Sequence, residues 1–192
     1  MYRFVSRVAF FLTVAVLTAV ASQPQDLLPQ VFLSPKFVAP LNAPSSIVVA
    51  GREEPGERMI VTGQVTVGGK PVRGVSIYAF HADADGLYTK DGSNSDENAR
   101  LHGAMRTDAN GRYRYETIRP RGYGNNPGHL HHVVSAPGYR TRLRDFWFAD
   151  DPLAIEQCKP GDTSGYCAFV GPVTRGVDGV WNATHNFEMV PE

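Results

Sequence analysis

Two histidines two positions apart, within Gly128-His129-Leu130-His131-His132, are the residues of this sequence best placed to do chemistry. Side chains at i and i+2 of a β-strand point to the same face, so His129 and His131 can reach one point while His132 points away. Neutral imidazole is a common metal ligand, and two on one face would supply half of a metal site. From this motif alone, a metal site and an ordinary pair of surface histidines both remain open.

Two tyrosines stand on irregular, glycine-flanked segments that could bring a phenol to those histidines. Tyr88 follows the turn-forming residues 83–87, and Tyr123 lies between Gly122 and Gly124. Glycine neighbours leave the backbone free to place the phenol. A phenol has a pKa of about 10, so it ionises at neutral pH only beside a strong cation such as a hard trivalent metal ion. Taken alone, each tyrosine fits a packing role better than a ligand role.

The elements that must carry these residues are predicted to be short β-strands. Stretches of β-branched, aromatic or alternating residues recur between turn signals, and no helical periodicity accompanies them. The predicted strands cover residues 59–67, 72–80, 103–107, 112–118, 130–135, 144–148 and 181–190. Many short strands and long polar connections, such as residues 83–100, predict an all-β sandwich with long loops.

The composition excludes several classes of function. The chain has 192 residues, with 19 Lys+Arg, 19 Asp+Glu and a formal net charge of zero, so it lacks the basic excess that nucleic-acid binding requires. A hydrophobic fraction of 42% and a charged fraction of 20% are typical of globular proteins and exclude wholesale disorder. No phosphate-binding loop, dinucleotide motif or Ser-His-Asp arrangement is visible.

The first 21 residues have the parts of a secretory signal peptide. Arg3 and Arg7 precede an apolar run over residues 8–21, which ends with small residues at Ala19 and Ala21. The run is shorter than the ~20 residues that span a bilayer. We therefore expect cleavage near Ala21 and an exported chain, secreted or periplasmic, with no remaining membrane segment. An uncleaved anchor is the alternative.

The rest of the chain divides at residue 56. Residues 22–56 contain six prolines, which exclude a regular helix and predict an extended arm or a linker. Residues 57–192 form the predicted β-sandwich domain. In an oxidising compartment Cys158 and Cys167 are predicted to form a disulfide that closes a small loop, with two free thiols as the alternative.

A series of motifs runs in a specific order through residues 60–152. It comprises Val61-Thr62-Gly63-Gln64-Val65, Gly69-Lys70-Pro71-Val72-Arg73-Gly74-Val75, Phe80-His81-Ala82-Asp83-Ala84-Asp85-Gly86-Leu87-Tyr88, Thr107-Asp108-Ala109-Asn110-Gly111-Arg112-Tyr113, Thr117-Ile118-Arg119-Pro120, Tyr123, His129-Leu130-His131 and Phe146-Trp147-Phe148-Ala149-Asp150-Asp151-Pro152. In combination these motifs resemble the intradiol ring-cleavage dioxygenase family, non-haem ferric enzymes that open catechols between the two hydroxyls. The pattern is most similar to the small exported branch of that family.

The resemblance implies a fold, a cofactor and a reaction. The fold would be a prealbumin-like β-sandwich with iron(III) at its mouth, held by Tyr88, Tyr123, His129 and His131. A small catecholic aromatic would bind the metal through both oxygens and displace Tyr123, which then acts as a base. With O2 as the second substrate, the product would be a muconate-type diacid.

The sequence departs from the family's pattern at three expected pocket positions. Asn126 stands where the better-known cytosolic members carry an arginine, Asp145 where a glutamine is usual, and Phe80 where a tryptophan is found. A cation at the first position would stabilise negative charge on the substrate, and asparagine offers only a dipole. A carboxylate at position 145 would disfavour an anionic substrate if it faced the pocket. The substrate therefore cannot be taken over from those members.

Two function classes remain. The first is an exported ferric dioxygenase, which the complete set of four ligand positions favours. The second is a non-catalytic exported β-sandwich module that binds a carbohydrate, a polyphenol or a protein.

The other histidines and one group of arginines carry weaker expectations. His81, His102 and His185 have no partner at ligand spacing and are expected to be surface or loop residues. The alternating residues Arg140, Arg142 and Arg144 fit a solvated strand face, with a substrate-facing cationic edge as the alternative.

Overall fold

The computed structural model describes residues 29–93 and 95–192, and these fold as two packed β-sheets. The predicted signal peptide, residues 1–21, lies outside the described residues. The strands are β1 (Ser46–Val48), β2 (Arg58–Val67), β3 (Lys70–Pro71), β4 (Ser76–His81), β5 (Leu101–Arg106), β6 (Arg112–Ile118), β7 (His129–Ser135), β8 (Arg142–Phe148), β9 (Val170–Gly171), β10 (Val173–Arg175), β11 (Trp181–Thr184) and β12 (Phe187–Glu188), with one described α-helix, α1 (Pro152–Gln157). The predicted all-β sandwich class is confirmed.

The smaller sheet has the order β5-β4-β7-β8-β9. Its pairs are antiparallel apart from β8 and β9, which run parallel. The larger sheet has the order β1-β6-β2-β11-β10, with β3 and β12 also paired to β2. Strand β7, which carries the histidine motif, is therefore the central strand of the smaller sheet. Within the described ranges, no helix is long and apolar enough to cross a membrane.

The core lies between the sheets and follows from the alternation of the strands. In β2, alternate residues Met59, Val61 and Val65 are buried. At Gly63, on the same strand, an added Cβ would come within 2.0 Å of the His185 carbonyl oxygen, so only glycine allows this close approach. The apolar residues that meet these from the other strands are Ile77, Ala79, Met105, Tyr113, Tyr115, Leu130, Val134, Phe146, Phe148 and Phe187.

The described part of the proline-rich arm packs on the sandwich. Phe32 and Phe37 are buried against Tyr78 and Phe80 on the outer face of the smaller sheet. This cover explains why every residue of β4 and β7 is buried, since a strand in a sandwich otherwise exposes alternate side chains. Strand β1 also lies within the arm and pairs in parallel with β6, so the larger sheet begins before residue 57.

The structure contains one short helix that the sequence pattern did not predict. Helix α1 begins after Asp151, whose side chain accepts a hydrogen bond from the backbone N–H of Leu153. It has only 6 residues, too few for a helical periodicity to appear in the sequence. The predicted disulfide between Cys158 and Cys167 is present and ties the end of α1 to the 3-10 turn Gly165–Phe169.

Candidate metal centre

His129 and His131 project together from the outer face of β7. The two residues are 6% and 7% exposed, so they are not a pair of surface histidines. Their Nε2 atoms lie 3.0 Å apart. His132 points into the sandwich, as the alternation predicted, and its Nε2 lies 2.8 Å from the Tyr115 hydroxyl.

Hydrogen bonds on the far side of both rings fix which nitrogen carries the proton. His129 Nδ1 lies 2.6 Å from the Pro127 carbonyl oxygen, and His131 Nδ1 lies 2.6 Å from Asp145 Oδ1. Because both partners are acceptors, each Nδ1 must donate, which leaves an unprotonated lone pair on each Nε2 of the neutral rings. Two such lone pairs face each other across 3.0 Å, an arrangement that a shared cation would stabilise.

Tyr88 reaches the histidines from a loop that hydrogen bonds hold in place. The Asp83 side chain accepts hydrogen bonds from the backbone N–H groups of Asp85 and Leu87, which closes the turn before Tyr88. The Arg100 N–H then donates to the Tyr88 carbonyl oxygen. The Tyr88 hydroxyl lies 2.7 Å from His131 Nε2 and 3.5 Å from His129 Nε2.

Tyr123 completes the group from a tight turn. Its N–H donates to the Asn126 carbonyl oxygen and its own carbonyl oxygen accepts from the Asn126 N–H. Glycine is required on both sides: an added Cβ at Gly122 would lie 2.4 Å from the Asn126 carbonyl oxygen, and Gly124 has a φ of +54°. The Tyr123 hydroxyl lies 3.2 Å from the Tyr88 hydroxyl.

The four predicted ligand residues therefore converge on one space. The contacts among the donor atoms of Tyr88, Tyr123, His129 and His131 run from 2.7 to 3.5 Å. Donors bonded to one metal at about 2.0–2.2 Å in a tetrahedron lie about 3.3–3.6 Å apart, so one ion that moved the closest pairs slightly apart could contact all four. In the part of the chain that the structure describes, no three His, Cys, Asp or Glu side chains form a metal cluster; this set takes half of its donors from tyrosine.

The electrostatics of the donors fit a hard, highly charged cation. Burial lowers the pKa of His129 to about 4, so its imidazole is neutral near pH 7. Burial raises the pKa of Tyr88 and of Tyr123 above the ordinary value, so both phenols keep their protons unless a cation offsets the cost of ionisation. Two phenol oxygens and two imidazole nitrogens fit iron(III), whose charge would stabilise both phenolates.

The three expected pocket residues support the donor set. Asp145 receives the hydrogen bond of His131; burial would raise the pKa of this carboxyl, but the nearby His131 holds it below its ordinary value. Phe80 is fully buried and stacks on the His131 ring with centroids 4.6 Å apart. Asn126 is exposed, and its backbone pairs with Tyr123.

Two aromatic residues beside the site were not identified from the sequence. Trp147 pairs in register with His129, with ring centroids 6.2 Å apart, and the exposed Tyr166 stacks on Trp147 at 5.3 Å. The alternation of β8, which places Asp145 and Trp147 on one face, could have indicated Trp147. Tyr166 arrives through the disulfide-closed loop, a long-range arrangement without a local sequence signal.

The expectation of surface positions is wrong for His81. His81 is fully buried on β4, where its ring nitrogens contact Thr117 Oγ1 and the Ala82 carbonyl oxygen, each at 2.6 Å. The arm covers one face of β4 and the larger sheet covers the other, so no position on this strand is exposed. His185 is half-buried against His132, whereas His102 is exposed as expected.

The arginines of β8 lie away from the donor set. Arg142 and Arg144 occupy the face of β8 opposite to Asp145, and they line a cavity of about 420 Å³ together with Val134 and His185. Arg140 precedes the strand and is exposed. A cationic edge facing the four donors is therefore not formed by these residues.

The chain is similar to a known protein family and to several of its characterised members. A family model described as "Dioxygenase" matches residues 33–161. The chain is 29% identical over 156 residues to catechol 1,2-dioxygenase of Acinetobacter baylyi, covering 69% of this chain and 50% of that protein. It is 37% identical over 118 residues to the protocatechuate 3,4-dioxygenase beta chain of Burkholderia cepacia, covering 55% of this chain and 50% of that protein. The chain thus spans about half the length of these relatives.

Solved structures agree on the fold. The 3-chlorocatechol 1,2-dioxygenase of Rhodococcus opacus 1CP superposes with a TM-score of 0.62 at 20% identity, covering 79% of this chain and 68% of the other. The dioxygenase domain of a carbohydrate-binding fusion protein from Streptomyces sp. SirexAA-E superposes with a TM-score of 0.60 at 23% identity, covering 80% of this chain and 94% of the other.

Proposed function

The chain belongs to the intradiol dioxygenase family, and from this premise we propose that it is an exported iron(III) dioxygenase that cleaves a catechol-type ring between its two hydroxyls. The carbon–carbon bond between the hydroxyl-bearing carbons breaks, and both atoms of O2 enter the product. The product is a muconate-type diacid.

The observation that carries this proposal is that contacts of 2.7–3.5 Å link the two tyrosine hydroxyls and the two histidine Nε2 atoms. The four residues come from two loops and one strand, and both imidazoles offer a lone pair to the same space. A degraded, non-catalytic relative would be expected to lose one of these groups, and none is missing.

Iron(III) held by Tyr88, Tyr123, His129 and His131 would act as a Lewis acid that draws electron density from the ring and as a template for both substrates. The chain's own residues prepare this arrangement. Pro127 and Asp145 hold the two imidazoles through their Nδ1–H groups and so direct Nε2 inward. Such supporting contacts to the ligands tune metal affinity.

Tyr123 is the ligand best placed to leave and act as a base. Its side chain is half-buried, whereas Tyr88 is 2% exposed and contacts both histidines. With iron(III) bound, Tyr123 would be held as a phenolate and could accept a proton from a hydroxyl of the incoming catechol. Proton transfer by such a positioned side chain contributes about 10²–10⁴-fold to a rate.

Export is part of the proposal and is supported by the sequence of residues 1–21 and by the disulfide between Cys158 and Cys167. Disulfides persist in oxidising compartments and are rare in the cytosol. Expression of the full chain in its native host, followed by N-terminal sequencing of the extracytoplasmic fraction, should give a mature chain that begins just after Ala21. Full-length protein confined to the cytoplasm would contradict export.

The activity is tested by oxygen uptake of the iron(III)-loaded protein with catechol, with the ring-opened diacid identified by mass spectrometry. We expect one O2 consumed per ring opened. His129→Ala and His131→Ala should lose iron, and Tyr123→Phe should keep some iron but lose most turnover. His102→Ala, at an exposed histidine outside the site, is the control and should keep both. An iron-loaded wild-type protein that does not open catechol-type rings would refute the proposal in favour of a binding module.

A further inference from the structure

A cavity of about 420 Å³ lies on the face of β8 opposite to the four donors. Small-molecule sites in proteins have volumes of this order. Arg142 and Arg144 line the cavity from β8, and His185 and Asn186 line it from the segment that follows β11. Ala168 and Asn186 are exposed, so the cavity opens to solvent beside them.

Four apolar side chains line the same cavity. Phe187 and Met189 come from the C-terminal segment, Val134 from β7, and Phe169 from the 3-10 turn that follows the disulfide-closed loop. Phe187, Met189 and Val134 also belong to the hydrophobic core between the sheets. A ligand with an apolar body would therefore pack against side chains whose positions the core already fixes.

The charge that the described residues bring to the cavity is positive. Arg142 Nε and Arg144 Nη1 are buried, so water screens these guanidinium groups less than on an open surface. Each guanidinium has five N–H donors in a planar fork, so it can bind a ligand while it keeps its contacts with the protein. Burial lowers the pKa of His185 to about 3, so this imidazole is neutral near pH 7.

The one carboxylate among the described lining residues is directed elsewhere. Glu188 accepts hydrogen bonds from the Thr66 hydroxyl and from the Gly68 backbone N–H. It is exposed and follows the buried Phe187 on β12, so its side chain lies on the outer face of the larger sheet. The cavity therefore combines two cations with an apolar wall.

We propose that this cavity is a binding site for a small aromatic carboxylate. The carboxylate pairs with Arg142 and Arg144, which alternate on one face of β8, and the ring packs against Phe169, Phe187 and Met189. Guanidinium groups match carboxylates through two parallel N–H···O bonds, which favours such an acid over its amide. The site lies across β8 from the candidate metal centre, so it goes beyond the proposed function and needs no metal.

Calorimetric titration of the mature protein as purified tests this site with three probes: cinnamate, its uncharged isostere cinnamamide, and inorganic phosphate. We expect cinnamate to bind about tenfold more tightly than the amide, because hydrogen bonds to a charged group are the stronger ones. Phosphate, which lacks a ring, should bind more weakly than cinnamate. Equal affinities for acid and amide, no binding of cinnamate at millimolar concentration, or phosphate bound as tightly as cinnamate would each overturn the proposal.

The arginines are tested one at a time. Arg142→Gln and Arg144→Gln each remove one charge and keep an N–H donor, so each should weaken cinnamate binding about tenfold and change cinnamamide binding little. Arg52→Gln is the matched control, because Arg52 is exposed before the start of β2, whereas Glu188 pairs with Thr66 near the end of that strand. Wild-type affinity for cinnamate in both Arg142→Gln and Arg144→Gln would refute the assignment.

Two further measurements locate the ligand. Iron-loaded and metal-free protein should bind cinnamate equally, and binding that requires iron would place the carboxylate on the metal and overturn the proposal. In the metal-free protein, cinnamate should shift the backbone NMR signals of residues 185–190 and leave those of Tyr88 and Tyr123 in place, and the reverse pattern would contradict the site. These wild-type measurements decide the matter even if an arginine variant does not fold. A protein that binds cinnamate here but opens no catechol ring would refute the proposed reaction alone.

Discussion

Replacing Tyr123 by phenylalanine should change the number of protons released when iron(III) binds. Burial raises the pKa of both Tyr88 and Tyr123 above the ordinary value, so both are protonated in the metal-free protein near pH 7. Each must lose its proton to bind iron as a phenolate. Pro127 and Asp145 accept hydrogen bonds from the two Nδ1–H groups in wild type and variant alike, so any proton that the imidazoles release is common to both proteins.

The magnitude follows from this donor set. Wild type should release about one proton more per iron than Tyr123→Phe, because metal affinity is coupled to ligand deprotonation. The apparent affinity of wild type should therefore rise about tenfold more per pH unit than that of the variant. The sign is fixed by the chemistry: a group that must be deprotonated to bind gives tighter binding as pH rises.

The assay is competition with a ferric chelate at several pH values between 6 and 7.5. For each protein, the logarithm of the apparent iron affinity is plotted against pH. Protons taken up or released by the chelate contribute equally to both plots, so the difference between the two slopes reports the proton of Tyr123. Tyr166→Phe, at an exposed tyrosine of the disulfide-closed loop, should keep the wild-type slope. Equal slopes for wild type and Tyr123→Phe, with iron bound in both, would refute the assignment of Tyr123 as a phenolate ligand.

Three predictions concern the scaffold. Burial lowers the pKa of His81 to about 4, against 6.5 in the unfolded chain. The neutral His81 therefore makes its full contribution to the free energy of unfolding above pH 6.5, and this contribution is lost as the pH falls through 4. The loss of stability over this range is on the order of 3 kcal/mol. Chemical unfolding of wild type and His81→Gln across this range should show a shallower pH dependence in the variant, and identical dependences would contradict the burial argument. Removing the disulfide with the double substitution Cys158→Ser and Cys167→Ser should lower the free energy of unfolding by about 2–3 kcal/mol, because the unfolded chain regains the entropy of the open loop. Urea unfolding measures this loss. A loss below about 0.5 kcal/mol would show that the disulfide does not constrain the unfolded chain. Phe37→Ala should cost about 3–5 kcal/mol because Phe37 is 1% exposed in the arm's contact with the smaller sheet, and an unchanged unfolding midpoint would mean that the arm does not pack in solution.

The sequence predicts this fold well where the signal is local. Strand β6 was predicted over the residues that form it, because its alternation is strict and a glycine turn precedes it. The convergence of Tyr88 and Tyr123 on the histidine pair was implied by family resemblance; periodicity alone gave only the shared face of His129 and His131.

What the sequence did not predict depends on contacts between distant segments. Strand β9 has only 2 residues and exists because it pairs with β8. The burial of His81 depends on the arm and on Thr117 in the other sheet, and both are too far away in the sequence to be recognised from the residues around His81. The contact between Asp145 and His131 follows from the register of β7 and β8, which the sequence does not reveal.

The central claim is most directly tested by measuring the iron content and visible spectrum of the mature protein, before and after catechol is added without O2. We predict one iron per chain, a broad tyrosinate-to-iron charge-transfer band, and a shift of that band on addition of catechol. A colourless protein that stays free of iron after ferric loading would contradict the account, because four converging donors with two inward lone pairs would then have no metal to bind.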